Sequence, residues 1–424
     1  MTSYTPFIYK LPNINNETDI FKNNNISVSN NISQPLFSLG FHSFIQRTKS
    51  GMEITKQWEN TNKLYYVVNP FEHTINDYDQ DIMHISENFL NKPNILSRAF
   101  YKLWEILYLF DIANKDKLSA LCIAEGPGSF IQAIVEFRKQ YFDPANDSIH
   151  GLTITGDEKV NINTNMVNNI NKKYENMINV IKTGKTKTSA NGDITKIQTH
   201  QLLKDTIKTK VDLITADGGF EWKNENYQEQ EAYVLILGEI YAALSNQAKG
   251  GSFVLKIFET FTHLTIKLIY LLKNFYEDVY IYKPFLSRST NSEKYIVCKG
   301  FKSITQKQLD LIDDILRKAT SEKLFINDIF IDFTLTDEHL NVFKYININI
   351  ANVQQIIINK LIVYIKSNNY FGDSYHGYRE EQIKANKWWI DNFFTEKLDE
   401  KTTYVNQTTT YNNSELKLFI NKLI

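Results

Sequence analysis

The sequence contains few of the residues that hold small or extracellular folds together. It has only 2 cysteines among 424 residues, Cys122 and Cys298, and both lie in apolar runs. This excludes a disulfide framework and a cysteine-rich zinc site, so we expect a reducing intracellular compartment. With 16 glycines and 8 prolines, the chain is also too poor in these residues to be collagen-like or of low complexity.

Neither sign of charge is in excess. Lys and Arg number 47 against 48 Asp and Glu, which gives a formal net charge of −1. No global basic surface therefore indicates a nucleic-acid partner, and such a contact must come from a local patch. No apolar run reaches the roughly 18 residues of a membrane span, and the first ten residues lack a signal-peptide pattern. We expect a cytoplasmic protein without a membrane partner.

The periodicity changes at residue 119, where short apolar strands begin to alternate with helices. The predicted strands are 119–124, 149–155, 177–184, 211–217, 250–259, 279–284 and 294–301. The last two are too close for a helical crossover and should be antiparallel neighbours. The pattern predicts an open, doubly wound α/β sheet that is mostly parallel, with its last strand antiparallel.

The regions that flank this pattern differ in character. Residues 1–80 are predicted to form an N-terminal extension that is partly extended, because their first part is polar and rich in Asn. The α/β domain is predicted over 81–302 and begins with a helix over 95–111. Residues 303–424 lose the alternation and predict a helix-rich C-terminal appendage.

A glycine turn joins the first strand to its helix. Gly126 and Gly128 let the backbone approach a ligand, and the helix N-terminus offers free N–H groups. Glu125, in the same turn, could meet an ammonium group. The spacing is not G-x-G-x-x-G, which disfavours a dinucleotide. An ordinary tight turn explains the motif equally well.

Charged residues follow or interrupt several strands. Asp157, Asp193 and Asp217 come after strands, at the edge where ligands of open α/β sheets bind. Lys256 interrupts the apolar run of a central strand, where a lysine is costly unless it is paired. Lys102 and Glu293 are individually typical of solvated charges.

Taken together in chain order, these residues resemble the FtsJ/RrmJ-like ribose 2′-O-methyltransferases, in particular the branch that modifies the first transcribed nucleotide of capped mRNA. The matching segments span about residues 90–301 and are LSRAFYKLWEI, AEGPGSF, NGDIT, TADGGF, GGSFVLKIFE and KPFLSRSTNSEKYIVCKGF. The resemblance implies a Rossmann-like fold that binds S-adenosylmethionine. Composition and the long helical tail further resemble proteins of large cytoplasmic DNA viruses such as African swine fever virus, which implies the host cytoplasm, a viral factory or the virion as location.

The resemblance also implies roles for individual residues. A catalytic tetrad would consist of Lys102, Asp217, Lys256 and Glu293, in which Lys256 accepts a proton from the ribose hydroxyl or orients it. A second cation, Lys102, is expected to depress the pKa of Lys256. The implied cofactor contacts are Glu125, Gly126, Pro127, Gly128, Asp193 and Asp157. The implied RNA contacts are Ser287, Arg288 and Asn291.

The chain departs from the family pattern in the first strand and its turn. Cys122 stands where relatives carry an acid, and Ser129 replaces a frequent glycine. Two alternatives therefore remain open beside the cap-specific enzyme, namely an internal RNA 2′-O-methyltransferase and a catalytically impaired RNA-binding or structural module. The expected partners are capped RNA and other capping or transcription proteins, no metal is expected, and the oligomeric state is not predicted.

Overall fold

A computed structural model shows the arrangement of the chain. It describes residues 4, 6–14, 20–32, 34, 38–58, 64–72, 89–91, 94–156, 160–184, 190–219, 224–321 and 325–398.

An eight-stranded sheet forms the centre of the molecule. Its spatial order is β1-β8-β9-β7-β6-β3-β4-β5. The strands are β1 (Phe7–Lys10), β3 (Ser119–Ile123), β4 (Ser148–Leu152), β5 (Ile178–Val180), β6 (Val211–Ala216), β7 (Gln247–Ile257), β8 (Tyr276–Lys283) and β9 (Lys294–Phe301). The five strands from β5 to β7 are parallel, whereas β9 is antiparallel to both β7 and β8. The predicted mostly parallel α/β sheet is confirmed, as is the antiparallel pairing of the last two strands.

Helices cover both faces of this sheet. In the described part of the chain, the helices of ten or more residues are α1 (Leu39–Ser50), α2 (Ala99–Phe110), α3 (Ser129–Tyr141), α4 (Thr164–Lys173), α5 (Ile197–Thr206), α6 (Tyr233–Asn246), α7 (His263–Phe275), α8 (Gln306–Ser321), α9 (Asp337–Lys366) and α10 (Asp373–Phe393). A four-residue helix spans Gln228–Glu231. Two large apolar clusters fill the space between sheet and helices. Because both faces are buried, the central strands are continuous apolar runs rather than alternating ones.

The N-terminal region contributes more to the sheet than the sequence indicates. Residues 7–10 form the edge strand β1, which pairs antiparallel with β8, and Tyr9 and Leu11 are buried. A second, two-stranded sheet joins β2 (Ile26–Ser29) to β10 (Phe325–Ile329) in the C-terminal region. Parts of the predicted extended arm are therefore integrated into the fold. The domain boundaries at 80 and 302 remain predictions.

The C-terminal region is helical, as predicted, and its longest helix is α9. This helix begins at Asp337, because Thr336 and His339 form a capping box there. Among the described residues, α9 alone is long and apolar enough to cross a membrane, and 44% of its most apolar window is buried. By its length and composition, α9 contradicts the expectation that no segment is long and apolar enough for a membrane span. Buried core helices of soluble proteins also meet this criterion.

Candidate active site

Three of the four predicted tetrad residues meet because of strand register. Asp217 directly follows β6, and β6 pairs in parallel with β7 so that Ala216 lies opposite Leu255. Lys256 is therefore beside Asp217. On its other side, β7 pairs with β9 so that Ile257 lies opposite Lys294, which brings Glu293 to the same edge. We call the edge where the parallel strands end the carboxyl edge.

The fourth residue, Lys102, reaches this edge from α2. Its Nζ lies 2.6 Å from Oε1 of Glu293, and both side chains are about 15% exposed. The Nζ of Lys256 lies 3.0 Å from Oδ1 of Asp217 and donates to the backbone oxygen of Asp217 at 2.9 Å. The structure therefore brings all four predicted residues together as two largely buried ion pairs.

The charge state of Lys256 differs from the expectation. Burial lowers the pKa of Lys256, but the nearby carboxylates of Asp217, Glu293 and Glu239 outweigh it, and the pKa is raised above its ordinary value. The expectation that Lys102 depresses this pKa is wrong for this structure, because Lys102 is paired with Glu293. Lys256 is therefore an ammonium group at neutral pH and a hydrogen-bond donor.

Glu293 is ionised and surrounded by lysines. Burial raises its pKa, but Lys102, Lys256 and Lys283 together lower it to about 2. Lys283, at the end of β8, donates to the backbone oxygens of Asn291 and Glu293 at 3.0 and 2.8 Å. Lys283 thus holds the backbone that carries Glu293, a role that the sequence reasoning missed although Lys283 ends an apolar strand run.

Two further side chains at the site were also missed. The hydroxyl of Tyr295 donates to Oδ1 of Asp217 at 3.1 Å. Tyr295 lies opposite Lys256 in the β7–β9 register, so the strand pairing would have identified it. Glu239 of α6 accepts from the backbone N–H of Gly218 at 3.1 Å and lies near Lys256. These contacts hold Asp217 and the following glycines in place.

The glycine turn packs closely against the residues after β4. A Cβ on Gly126 would lie 1.9 Å from the backbone oxygen of Val160, and Gly128 has a φ of +113°. Both positions therefore require glycine. Glu125 is 3% exposed, and its Oε1 accepts from the backbone N–H groups of Phe130 and Ile131 at 2.8 and 3.0 Å. One oxygen of this carboxylate is thus used to cap α3.

The other predicted cofactor contacts lie near the same turn or outside the described residues. The backbone N–H of Glu125 donates to the oxygen of Leu152 at the end of β4. A Cβ on Gly192 would lie 2.0 Å from the backbone oxygen of Thr153, so the loop that carries Asp193 also packs on that strand end. Asp193 accepts from Thr195 through Oδ1. Asp157 lies outside the described residues.

The three predicted RNA contacts hold the loop between β8 and β9. Ser287 is 2% exposed and donates to Asn291 Oδ1 and to the backbone oxygen of Glu293, both at 3.2 Å. Arg288 donates from Nε to Glu72 Oε2 at 2.6 Å and stacks on Tyr66 with its guanidinium 3.7 Å from the ring centroid. The structure therefore shows a supporting role for these residues, and their contact with RNA remains a prediction.

Buried Glu125 gives the protein a testable pH dependence of stability. Burial and the nearby Asp217 raise the pKa of Glu125 to about 8, against an ordinary value of 4.5. The folded chain therefore retains this proton where the unfolded chain has lost it, and the resulting stability is lost as the pH rises from 4.5 to 8. Glu125→Gln keeps the accepting oxygen and removes the titration.

We subtract the melting temperature of the wild type from that of Glu125→Gln at each pH. We expect this difference to increase by about 2 °C or more from pH 5 to pH 8. Calorimetry of both proteins in parallel cancels the contributions of all other titrating groups. A difference that does not change with pH would contradict the raised pKa.

Part of the chain is similar to a known protein family. Residues 95–301 match the sequence model of the FtsJ-like methyltransferase family, and this range contains all four charged residues of the two ion pairs. The match shows a similarity of these residues to FtsJ-like methyltransferases.

Individual relatives are cap-specific enzymes. The cap-specific mRNA (nucleoside-2′-O-)-methyltransferase 2 of Pongo abelii is 30% identical over 278 residues, which cover 61% of this chain and 35% of that protein. The cap-specific mRNA (nucleoside-2′-O-)-methyltransferase 1 of Trypanosoma cruzi is 31% identical over 207 residues, which cover 47% of this chain and 52% of that protein. The chain thus spans between about a third and a half of these relatives. A solved ribosomal RNA methyltransferase from Plasmodium falciparum matches 49% of this chain and 99% of its own at 25% identity and a TM-score of 0.36.

Proposed function

We propose that this chain methylates the ribose 2′-hydroxyl of RNA, and that its acceptor is the first transcribed nucleotide of capped mRNA. The observation that carries the proposal is that two ion pairs, Lys256–Asp217 and Lys102–Glu293, lie together at the carboxyl edge of an FtsJ-like domain. The names of the relatives favour a capped acceptor over an internal one.

The residues at the carboxyl edge fit S-adenosylmethionine. This cofactor carries a sulfonium and an ammonium group, and the carboxyl edge offers the acidic side chains of Asp193 and Asp217. Glu125, whose raised pKa keeps it protonated at neutral pH, would accept a hydrogen bond from the ammonium group without adding a charge. Gly219 has no side chain in front of Lys256, and a Cβ at this position would lie 3.5 Å from the Nζ of Lys256. Together with the Gly126–Gly128 turn, these residues would hold the cofactor, which supplies an electrophilic methyl group.

The remaining chemistry falls to the two lysines and their partners. A ribose hydroxyl is a poor nucleophile until its proton is drawn off. Lys256 donates a hydrogen bond to the hydroxyl oxygen, aligns it and stabilises the negative charge that develops there. Because its pKa is raised, Lys256 must first release a proton to solvent before it can act as a base. The free amine then accepts the proton that the hydroxyl loses as its oxygen takes the methyl group. Asp217, which accepts a hydrogen bond from Tyr295, holds Lys256. Lys102 and Glu293 complete a nearly neutral site.

Labelled methyl transfer from S-adenosylmethionine tests the choice of substrate. The wild-type chain is incubated with two RNAs of the same sequence, one with and one without a cap. We expect label on the first ribose of the capped RNA and at least about tenfold less on the uncapped RNA. Equal labelling would assign an internal acceptor, and loss of both labelling and cofactor binding would favour a non-enzymatic module. The expected viral source and cytoplasmic location remain predictions.

A further inference from the structure

A buried carboxylate connects the tetrad to the C-terminal region. Glu105 lies three residues after Lys102 on α2, so the two side chains leave the same side of the helix. The side chain of Glu105 is fully buried, yet no ion pair involves it among the described residues. Burial raises the pKa of Glu105 to about 7, so this carboxyl group needs several hydrogen-bond donors to hold a charge.

Glu105 has four such donors, and they come from three elements. Its Oε2 accepts from the hydroxyl of Tyr282 and from the backbone N–H of Phe285 at 2.8 Å. Its Oε1 accepts from the backbone N–H of Leu286 at 3.1 Å and from the indole N–H of Trp389 at 2.9 Å. The carboxylate therefore joins α2, the start of the β8–β9 loop and helix α10.

The β8–β9 loop, residues 284–293, leads directly to Glu293. Near its other end, the backbone oxygen of Thr290 accepts from the side-chain amide of Gln354 on α9 at 3.0 Å. The loop is thus held by both long helices of the C-terminal region. These two helices lie outside residues 95–301, which match the family.

We propose that Glu105 is a positioning residue for the Lys102–Glu293 pair. The indole N–H of Trp389 on α10 is needed to hold Glu105 in the position that this role requires. Helix α10 thereby sets the geometry of the site in the neighbouring domain. This inference rests on the proposed function for its effect on rate. The contact that it invokes can also be tested without activity.

Two tryptophans provide a matched pair of variants. Trp389→Phe removes the indole N–H that Glu105 accepts and keeps an aromatic ring in place. Trp104→Phe removes an equally buried N–H between the same two helices, which donates to the backbone oxygen of Phe393 at 2.8 Å and not to Glu105. Both variants lose one buried hydrogen bond across the α2–α10 interface, so their losses in stability should be similar.

The expected results separate positioning from general destabilisation. We expect Trp389→Phe to lower kcat by about tenfold with an unchanged KM for S-adenosylmethionine, because small displacements of reacting groups cost large factors in rate. We expect Trp104→Phe to keep kcat within about twofold. Hydrogen exchange measured by mass spectrometry should be faster at residues 285–293 in Trp389→Phe but not in Trp104→Phe.

Glu105→Gln, which places an amide N–H₂ against donors, should reproduce the results of Trp389→Phe if that variant folds poorly. Equal kcat values and equal exchange in the two tryptophan variants would overturn the proposal. If the wild type itself transfers no methyl group, the proposed function fails, and the exchange of residues 285–293 alone decides the positioning role.

Discussion

Lys256→Ala is expected to lower the rate of methyl transfer by about 10²–10⁴-fold, which is the usual contribution of a positioned proton donor or acceptor. The reason is geometric and electrostatic. The Nζ of Lys256 is held by Asp217 at the end of a central strand, where its side chain is only 12% exposed. Its removal takes away the group that aligns the hydroxyl and stabilises the developing charge. Transfer of labelled methyl to capped RNA measures the loss.

Lys249→Ala is the matched control for this variant. Lys249 lies on the same strand, β7, but its side chain is exposed. We expect Lys249→Ala to keep full activity. Lys256→Ala should remain folded, because Asp217 keeps its hydrogen bond from Tyr295. A folded Lys256→Ala protein with activity within threefold of the wild type would remove Lys256 from the mechanism.

The second large effect concerns stability. Arg138→Met is expected to lower the free energy of unfolding by about 3–5 kcal/mol, because it leaves a buried carboxylate without its cation. Arg138 and Asp147 are fully buried and joined by two hydrogen bonds, from Nε at 2.7 Å and from Nη2 at 2.9 Å. Arg138 also donates to the backbone oxygens of Ala113 and Lys115. It therefore ties the end of α3 to the segment that leads into β3.

An exposed ion pair on α10 provides the comparison. The Nζ of Lys384 lies 3.7 Å from Oε2 of Glu380, and the two side chains are 66% and 72% exposed. Lys384→Met should cost less than about 1 kcal/mol, as expected for exposed ion pairs. Urea unfolding of both variants gives the two values. Similar losses in the two variants would show that Arg138 does not have the role assigned to it.

The tetrad could be predicted because each of its members lies in its own motif of the resemblance to the FtsJ-like family. The alternation of strands and helices gave the positions of β6 and β7, and parallel strands place their ends at one edge. That β6 and β7 are direct neighbours, which puts Lys256 beside Asp217, was not predicted. Glu293 was assigned by the resemblance alone. The antiparallel pairing expected of the last two strands is confirmed by the β8–β9 register, whereas the β7–β9 pairing that brings Glu293 to Lys256 was not predicted.

The electrostatic state of the site could not be predicted in the same way. The sequence does not show which opposite charge lies closest to Lys256. In the structure, Lys102 is neutralised by Glu293, and the carboxylates around Lys256 raise its pKa. Glu239 contributes from α6, a helix whose periodicity shows only that it is buried.

The contribution of the chain ends was also hidden from the sequence. The four residues of β1 are too few for a strand pattern, and their partner strand β8 lies far along the chain. The contact between Glu105 and Trp389 joins residues that are 284 positions apart. Trp389 is buried, and the sequence gives no sign of the carboxyl group that its N–H meets.

The most direct test of the central claim uses two capped RNAs that differ in one atom. One carries a 2′-hydroxyl on its first nucleotide, and the other carries a 2′-hydrogen at that position. With labelled S-adenosylmethionine and the wild-type chain, we predict labelling of the first RNA and none above background on the second. Equal labelling of both RNAs, or labelling of neither, would contradict methylation of the first ribose by this domain.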